Sequence, residues 1–410
     1  MINFNDFHTK KDWQNIEVKS INRTQSHTRW GAWDNETNAV NGKHGDSLYI
    51  KSINGTYRFK LYDNPESADE FFKPEFDDSG FNDINVPGNW EVQGFGEPIY
   101  TNVHYPWKLD GEEDFSIRAN KSAGFIENPP HVPSANPTGC YRQWFTVPRE
   151  FKDREIFITF DGVETVYYLW INGKQVGYSQ DSKLPGEFNI TEYIKEGENL
   201  IAVMVIRFAD STYVEDQDYW HISGIYRSVW LVSKPKQRIE DYKVTAIPDI
   251  NTGIGIINVD TTVSRTPFFA DCTVKVAIYD SGKNKIIEET GKVIAEAQYR
   301  TDIMPTANTA RVKLEVSDAK LWSPESPALY TVVVTLLDPD GKVIDVERFV
   351  ESISSLEGDF DLIDGKYVVD ARSLMGIFGM DLSKPLQLRI QNDSEVAMKA
   401  ISSFVVSTTV

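Results

Sequence analysis

Apolar and polar positions alternate over short stretches along most of the chain, and glycine, proline and asparagine punctuate the stretches. Alternation with period two is the pattern of half-buried β-strands. Residues 154–160 (REIFITF) alternate in this way. Residues 165–171 (TVYYLWI) and 174–179 (KQVGYS) are aromatic and β-branched runs joined by Asn172-Gly173. That pair accepts the positive φ of a tight turn, so the two runs predict a hairpin. By the same rule residues 48–53 and 56–61, which flank Asn54-Gly55, predict another. Residues 200–208 (LIAVMVIRF) and 228–232 (SVWLV) continue the series, and long helical periodicity is absent. Strand after strand with turn residues between them predicts a jelly-roll sandwich for residues 1–236.

Ser233-Lys234-Pro235-Lys236 reads as a domain boundary. Beyond it, residues 242–247, 256–263, 273–279, 311–316 and 330–337 form a second strand series. Its last member turns at Asp338-Pro339-Asp340-Gly341 into residues 342–349, a further predicted hairpin. The span 237–350 has the size of an immunoglobulin-like sandwich, about 100 residues. Residues 351–410 differ in character. Two runs, 360–363 and 367–369, surround Asp364-Gly365; Ser373 is placed to cap a helix over 373–378 (SLMGIF). A strand at 386–390 and a closing helix at 394–404 complete a small partial α+β segment. The fold class is therefore mainly β, in three parts.

Composition narrows the function classes. The formal net charge is −19 with a sequence pI near 4.8, which argues against nucleic acid and anionic membrane surfaces. A neutral sugar is compatible with it. Aromatics make up 12% of the residues, which suits β-rich cores and also flat surfaces that stack on sugar rings. Cys140 and Cys272 lie in different predicted domains, so no disulfide framework or cysteine metal site is expected. The histidines show no zinc-site spacing. The first twenty residues lack a signal peptide's apolar core, and no stretch of about 18 apolar residues occurs. A cytoplasmic protein is the expectation.

Glycoside hydrolysis uses two carboxylates held across the scissile bond. Among 61 acidic residues the informative ones lie in the segment 213–227, YVEDQDYWHISGIYR. It gathers Glu215, Asp216 and Asp218 beside Tyr213, Tyr219 and Trp220. Read alone, it is either a loop that offers carboxylates and aromatic rings to a sugar or a structural turn leading into a strand. Asn102, read alone, is a loop-capping residue.

Several blocks in order resemble family 2 β-galactosidases. They are SINGTYRF at 52–59, VPGNWEVQGFGEPIYTNVHYPW at 86–107, NPTGCYRQWFTVP at 136–148 and FDGVETVYYLWINGKQVGYSQDSKLPGEFNIT at 160–191. DQDYWHISGIYR at 216–227 and LWSPESPALYTVVV at 321–334 complete the set. The resemblance implies a jelly-roll sugar-binding domain followed by an immunoglobulin-like sandwich. It implies that Asn102 hydrogen-bonds galactose. It further implies that Asp218 contacts sugar hydroxyls and a bound sodium ion, which it shares with residues of a catalytic barrel. His104 and Trp107 are read as loop packing. Within the family, β-glucuronidase and β-mannosidase are the nearest competitors, and the TNVHYPW and DQDYWHISGIYR blocks look like the galactosidase branch.

In that family the acid/base and nucleophile glutamates lie in a (β/α)₈ barrel of about 250 residues that follows the second domain. Residues 351–410 are too few for it, so no catalytic residue is assigned in this chain, and the family's magnesium site is expected to be missing. Residues 359–405 instead resemble the C-terminal part of the phosphocarrier protein HPr of the sugar phosphotransferase system. Ser373 matches the regulatory phosphoserine of that family. No histidine follows His221, so phosphoryl relay is not expected of this segment, and a partial HPr fold leaves apolar surface uncovered. A truncated or chimeric chain is the expectation.

The expected function is thus that of a β-galactosidase-family protein, acting on terminal β-galactosides in carbohydrate metabolism, inactive by itself. The alternatives are a non-catalytic galactoside-binding or assembly module and a regulatory fusion linked to the phosphotransferase system. The expected partners are a β-galactoside or galactose, bound weakly, and a further copy of the chain or a barrel-bearing chain in trans. Nucleic acid and membrane are not expected partners.

Overall fold

The predicted strands assemble into antiparallel sheets. A computed structural model gives the fold and describes residues 10–28, 31–102, 105–107, 129–264, 272–296, 307–337, 359–364, 367–371 and 387–391. The chain divides into two units: residues 43–234 with 1–26 and 30–33, and residues 235–410 with 27–29 and 34–42.

The first unit holds thirteen strands among the described residues. They are β1 (Ser20–Ile21), β2 (Ile50–Ser52), β3 (Gly55–Tyr62), β4 (Asn82–Val86), β5 (Ile99–Thr101), β6 (Thr138–Thr146) and β7 (Glu155–Phe160). β8 (Val166–Ile171), β9 (Lys174–Ser179), β10 (Gly186–Asn189), β11 (Glu198–Ile206), β12 (Tyr219–His221) and β13 (Val229–Lys234) follow. One sheet runs β1-β9-β8-β11-β6-β3-β4 and a second runs β10-β7-β13-β2. Tyr141, Ile158, Phe160, Phe188, Val203 and Leu231 fill the space between them. On the far face of the larger sheet Trp13, Phe72, Tyr168, Trp170 and Met204 form another cluster. β8 and β11 are covered on both faces, which is why each reads as a continuous apolar run.

The two Asn-Gly pairs behave differently. Asn172 (φ 50°) and Gly173 (φ 82°) join β8 to β9 as a two-residue hairpin. Asn54-Gly55 does not make the predicted hairpin: β2 pairs with β13 in the smaller sheet, whereas β3 pairs with β4 and β6 in the larger one. The side chain of Asn54 is the reason. Its Oδ1 accepts from Val229 N at 2.8 Å and its Nδ2 donates to Ser228 Oγ at 3.1 Å, so the chain is tied to the end of β13 while it crosses between sheets. Gly55, at φ 144°, supplies the backbone freedom for the crossing.

The second unit packs β14 (Ile239–Asp249), β15 (Ile254–Val263), β19 (Ala307–Val316) and β18 (Ile294–Glu296) as one sheet. β17 (Lys285–Lys292), β16 (Thr273–Tyr279) and β20 (Thr331–Leu337) form the other. Val259, Val274, Val276, Ile278, Val312 and Leu314 lie between them. A short helix, Glu36–Asn41, belongs to this unit although it precedes β2 in sequence. Asn35 caps it by accepting from Asn38 N, and Val40 packs on Ala277, Tyr279 and Val333. Glu36 pairs with Lys275 at 2.9 Å and Lys285 at 2.8 Å and accepts from the Tyr279 hydroxyl.

A three-stranded sheet, β22-β21-β23, lies in the same unit. It comprises β21 (Asp359–Asp364), β22 (Tyr367–Asp370) and β23 (Gln387–Gln391). β21 and β22 form the predicted hairpin, with Asp364 opposite Tyr367. The predicted strand at 342–349 and the helices at 373–378 and 394–404, with Ser373, lie outside the described residues. Cys140 and Cys272 are both buried thiols, one in each unit.

Candidate functional site

A two-stranded ribbon, β5 against β12, builds the site. Thr101 faces Tyr219, Tyr100 faces Trp220, and Ile99 faces His221. Side chains alternate across a strand, so Ile99, Thr101, Tyr219 and His221 point to one side and Tyr100 and Trp220 to the other. The burial follows: His221 is buried, whereas Tyr100 and Trp220 are 52% and 56% exposed. Their rings lie side by side at 5.5 Å, tilted by 47°. Asn102 directly follows Thr101 at the end of β5 and Asp218 directly precedes Tyr219 at the start of β12, and both are exposed. Tyr100 donates its hydroxyl to Asp218 Oδ1 at 2.7 Å, and that carboxylate holds the phenol above its usual range.

The inward side is a buried polar network. His221 Nε2 lies 3.1 Å from Asp216 Oδ1 and 3.1 Å from Thr101 Oγ1. Arg207 donates to the carbonyls of His221 (2.9 Å) and Glu97 (3.0 Å), one on or beside each ribbon strand, and sits 3.5 Å from Glu91 Oε1. Ser223 N donates to Glu91 Oε2 at 2.8 Å. Burial, followed by the positive charges of Arg207 and Lys183, pushes the His221 imidazole down to about 4. Burial outweighs the hydrogen bond from Ser223 and the Arg207 charge at Glu91 and pushes its carboxyl up to about 7. Burial raises Asp216 and lowers Arg207. Desolvation dominates each shift, as expected where ionic groups leave water.

The structure separates the acids of the 213–227 segment. Glu215 accepts from Ser182 N at 3.1 Å and from Ser182 Oγ at 2.5 Å, and Asp216 turns inward to His221. Only Asp218 of the three is exposed. Of the carboxylates in this loop, Glu215 and Asp216 are thus engaged by Ser182 and His221, which leaves Asp218 as the one presented to solvent. The aromatics separate too. Tyr213 donates to the His131 carbonyl and Tyr219 to Glu164, whereas Trp220 stays outside. Trp107 is buried against Tyr105, Phe208 and Tyr213, in agreement with its reading as packing. His104 lies outside the described residues.

Glu91 and Tyr100 lie within the block at 86–107 and Arg207 within the strand run 200–208, but no feature of the sequence singles out any of the three as a site residue. Alternation within IYTN and DYWH is visible in sequence, but the pairing that superposes the two, 118 residues apart for Tyr100 and Asp218, is not. Asp218 offers a carboxylate oxygen, the hard donor that sodium prefers. Among the described residues no group of three or more His, Cys, Asp or Glu could hold a metal.

Two β-sandwich units along the chain, the first with exposed aromatic and carboxylate groups on a ribbon at residues 99–101 and 219–221, define the class: a modular β-sandwich protein. Residues 50–235 match the family described as glycosyl hydrolases family 2, sugar binding domain, and residues 237–350 match glycosyl hydrolases family 2. Over these residues the chain belongs to glycosyl hydrolase family 2. It is 37% identical over 350 residues to a β-galactosidase of Psychromonas ingrahamii, covering 85% of this chain and 32% of that protein. Against a β-galactosidase of Vibrio cholerae the identity is also 37%, with 87% and 33% covered. The chain thus spans about a third of the length of these relatives. A solved β-glucuronidase of Bacteroides uniformis shares the fold, with a TM-score of 0.53 at 20% identity over 72% of this chain and 31% of that one.

Proposed function

We propose that this chain supplies the sugar-binding front part of a family 2 β-galactosidase, with Asn102 and Asp218 contacting the terminal β-galactoside. The observation that carries the reading is the end of the ribbon: Asn102 directly follows β5 and Asp218 directly precedes β12, both are exposed, and Tyr100 donates to Asp218 Oδ1 at 2.7 Å. A carboxylate and a carboxamide make directional hydrogen bonds to sugar hydroxyls, the charged one the stronger. The relatives named β-galactosidase support the galactoside as ligand. In this reading the paired catalytic carboxylates come from protein beyond these 410 residues, in a longer chain or in trans. A sodium ion would use Asp218 as one of its ligands.

Titration with galactose tests the assignment. The chain should bind weakly, and Asp218→Ala should lower the affinity about tenfold, the effect of losing one charge-assisted hydrogen bond. Equal binding by both proteins, or none by either, would refute it. A chromogenic β-galactoside should not be turned over by these residues alone.

The likeness of residues 359–405 to part of HPr remains a separate proposal, supported by the β21–β22 hairpin and its pairing with β23. It predicts that an HPr kinase labels Ser373. A Ser373→Ala chain labelled as strongly as the native one would remove its basis.

A further inference from the structure

A third Asn-Gly pair, Asn41-Gly42, joins no two strands; it ends the helix Glu36–Asn41. An asparagine that precedes glycine can cyclise onto the backbone, because glycine has no Cβ to obstruct the approach of the asparagine side chain to the glycine nitrogen. We propose that Asn41 is a self-modifying site that converts to aspartate and isoaspartate in the folded protein, whereas their surroundings keep Asn54 and Asn172 as asparagine.

The chemistry needs no partner but water and its hydroxide. The Gly42 nitrogen gives up its proton to hydroxide and attacks Asn41 Cγ with the electron pair left behind. A C–N bond forms, the bond from Cγ to Nδ2 breaks, and Nδ2 takes a proton from water and leaves as ammonia. The succinimide so formed takes up one water at either of its carbonyls and opens to aspartate or isoaspartate. Two conditions follow. The asparagine side chain must be free to turn onto the next nitrogen, and that nitrogen must leave any hydrogen bond it donates.

The three pairs differ in both respects. Asn172 is half-buried; its Oδ1 accepts from Leu200 N at 3.0 Å, and its Nδ2 donates to the Tyr193 carbonyl at 2.9 Å and to Asn199 Oδ1 at 2.8 Å. Asn54 is half-buried and bridged to Val229 and Ser228. Leu200 lies on β11 and Val229 on β13, so turning either side chain means breaking its bonds to a strand of the first unit's core. Asn41 is exposed, and its Nδ2 donates to the Thr37 carbonyl at 2.9 Å, one turn back in its own helix. Gly42 N donates to the Asn38 carbonyl at 2.8 Å. Both bonds belong to the last turn of a six-residue helix. Helix ends open at a cost near zero, whereas core strands open at costs approaching global unfolding. Fraying of that turn releases the side chain and the nitrogen together, while Val40 stays packed on Ala277, Tyr279 and Val333. Either product leaves a carboxylate at the helix C-terminus, where the helix dipole disfavours it.

The test incubates the full chain at mildly alkaline pH, once folded and once in urea. Trypsin then releases residues 30–43 as one peptide, and tandem mass spectrometry locates each change of amide to acid. In urea the three pairs should react at similar rates. In the folded chain Asn41 should keep its rate to within about tenfold, whereas Asn54 and Asn172 should slow by more than ~100-fold. Gly42→Ala, at a φ of −80° where alanine fits, should slow the conversion severalfold and melt as the native chain does. Asn41→Gln should remove it from this peptide. A folded chain in which Asn41 is as slow as Asn172 would overturn the proposal, and so would Asn54 or Asn172 reacting as fast as Asn41.

Discussion

Glu91 and His221 are shifted in opposite senses by the same cause. Glu91 is held at about 7 against an ordinary 4.5, so the folded protein binds its proton more tightly than the unfolded chain does. Its contribution to stability is complete below pH 4.5 and is lost as pH rises toward 7. His221 is held at about 4 against 6.5, so its neutral form is the folded one. Its contribution is complete above pH 6.5 and is lost as pH falls toward 4. The two slopes oppose one another over the same window. Replacing Glu91 by Gln removes the falling limb and keeps the shape. Stability of Glu91→Gln should then rise more steeply between pH 4.5 and 7 than that of the native protein, by up to about 1.4 kcal/mol per pH unit. Urea midpoints across that range measure it; parallel profiles for the two proteins would contradict the assignment. The identity of these residues was plain in the sequence, but nothing in it marked them as buried, since both lie in short turn-rich stretches.

At the scale of elements, the lesson lies in the two asparagines before glycine. Asn172 turns a hairpin as its neighbours predict, although its amide oxygen also accepts from Leu200 N, 28 residues away, because that bond leaves β8 paired with β9. At Asn54 the end of β13, 175 residues away, takes the amide oxygen, and the flanking strands pair in different sheets. A local turn signal holds only where the strands it joins keep one another as partners. The helix Glu36–Asn41 is similar, since its six residues are too short to be read from periodicity or to be stable in water. It exists because Val40 and Glu36 dock on β16, β17 and β20. Burial opposes ionisation of Glu36, yet Lys285, Tyr279 and Lys275 hold its carboxyl at about 2. Its contribution is present above pH 4.5 and lost as pH falls toward 2. Glu36→Gln should destabilise the second unit by about 2 kcal/mol at neutral pH. Amide exchange within β16 should then accelerate roughly thirtyfold while β11 in the first unit keeps its rates. Equal rates in β16 would show that the helix is not held by its acid.

At the scale of the whole molecule, the sequence by itself determined the mainly β class, the strands at 154–160, 165–171, 174–179 and 200–208, and the motif blocks of the family. Those features are local, set by alternation and turn chemistry within a few residues. It also named Asn102 and Asp218, but through resemblance, with no physical statement of why the two belong together. Tertiary structure decided the rest. Pairing β5 with β12 brought the segments that carry Asn102 and Asp218 to the same end of the ribbon, turned Tyr100 and Trp220 outward, and turned His221 inward toward Asp216. It also gave residues 34–42 to the second unit. The physical reason is common to all of these. Which face of a strand is covered depends on the strand it pairs with, and in an antiparallel sandwich that partner can lie more than a hundred residues away.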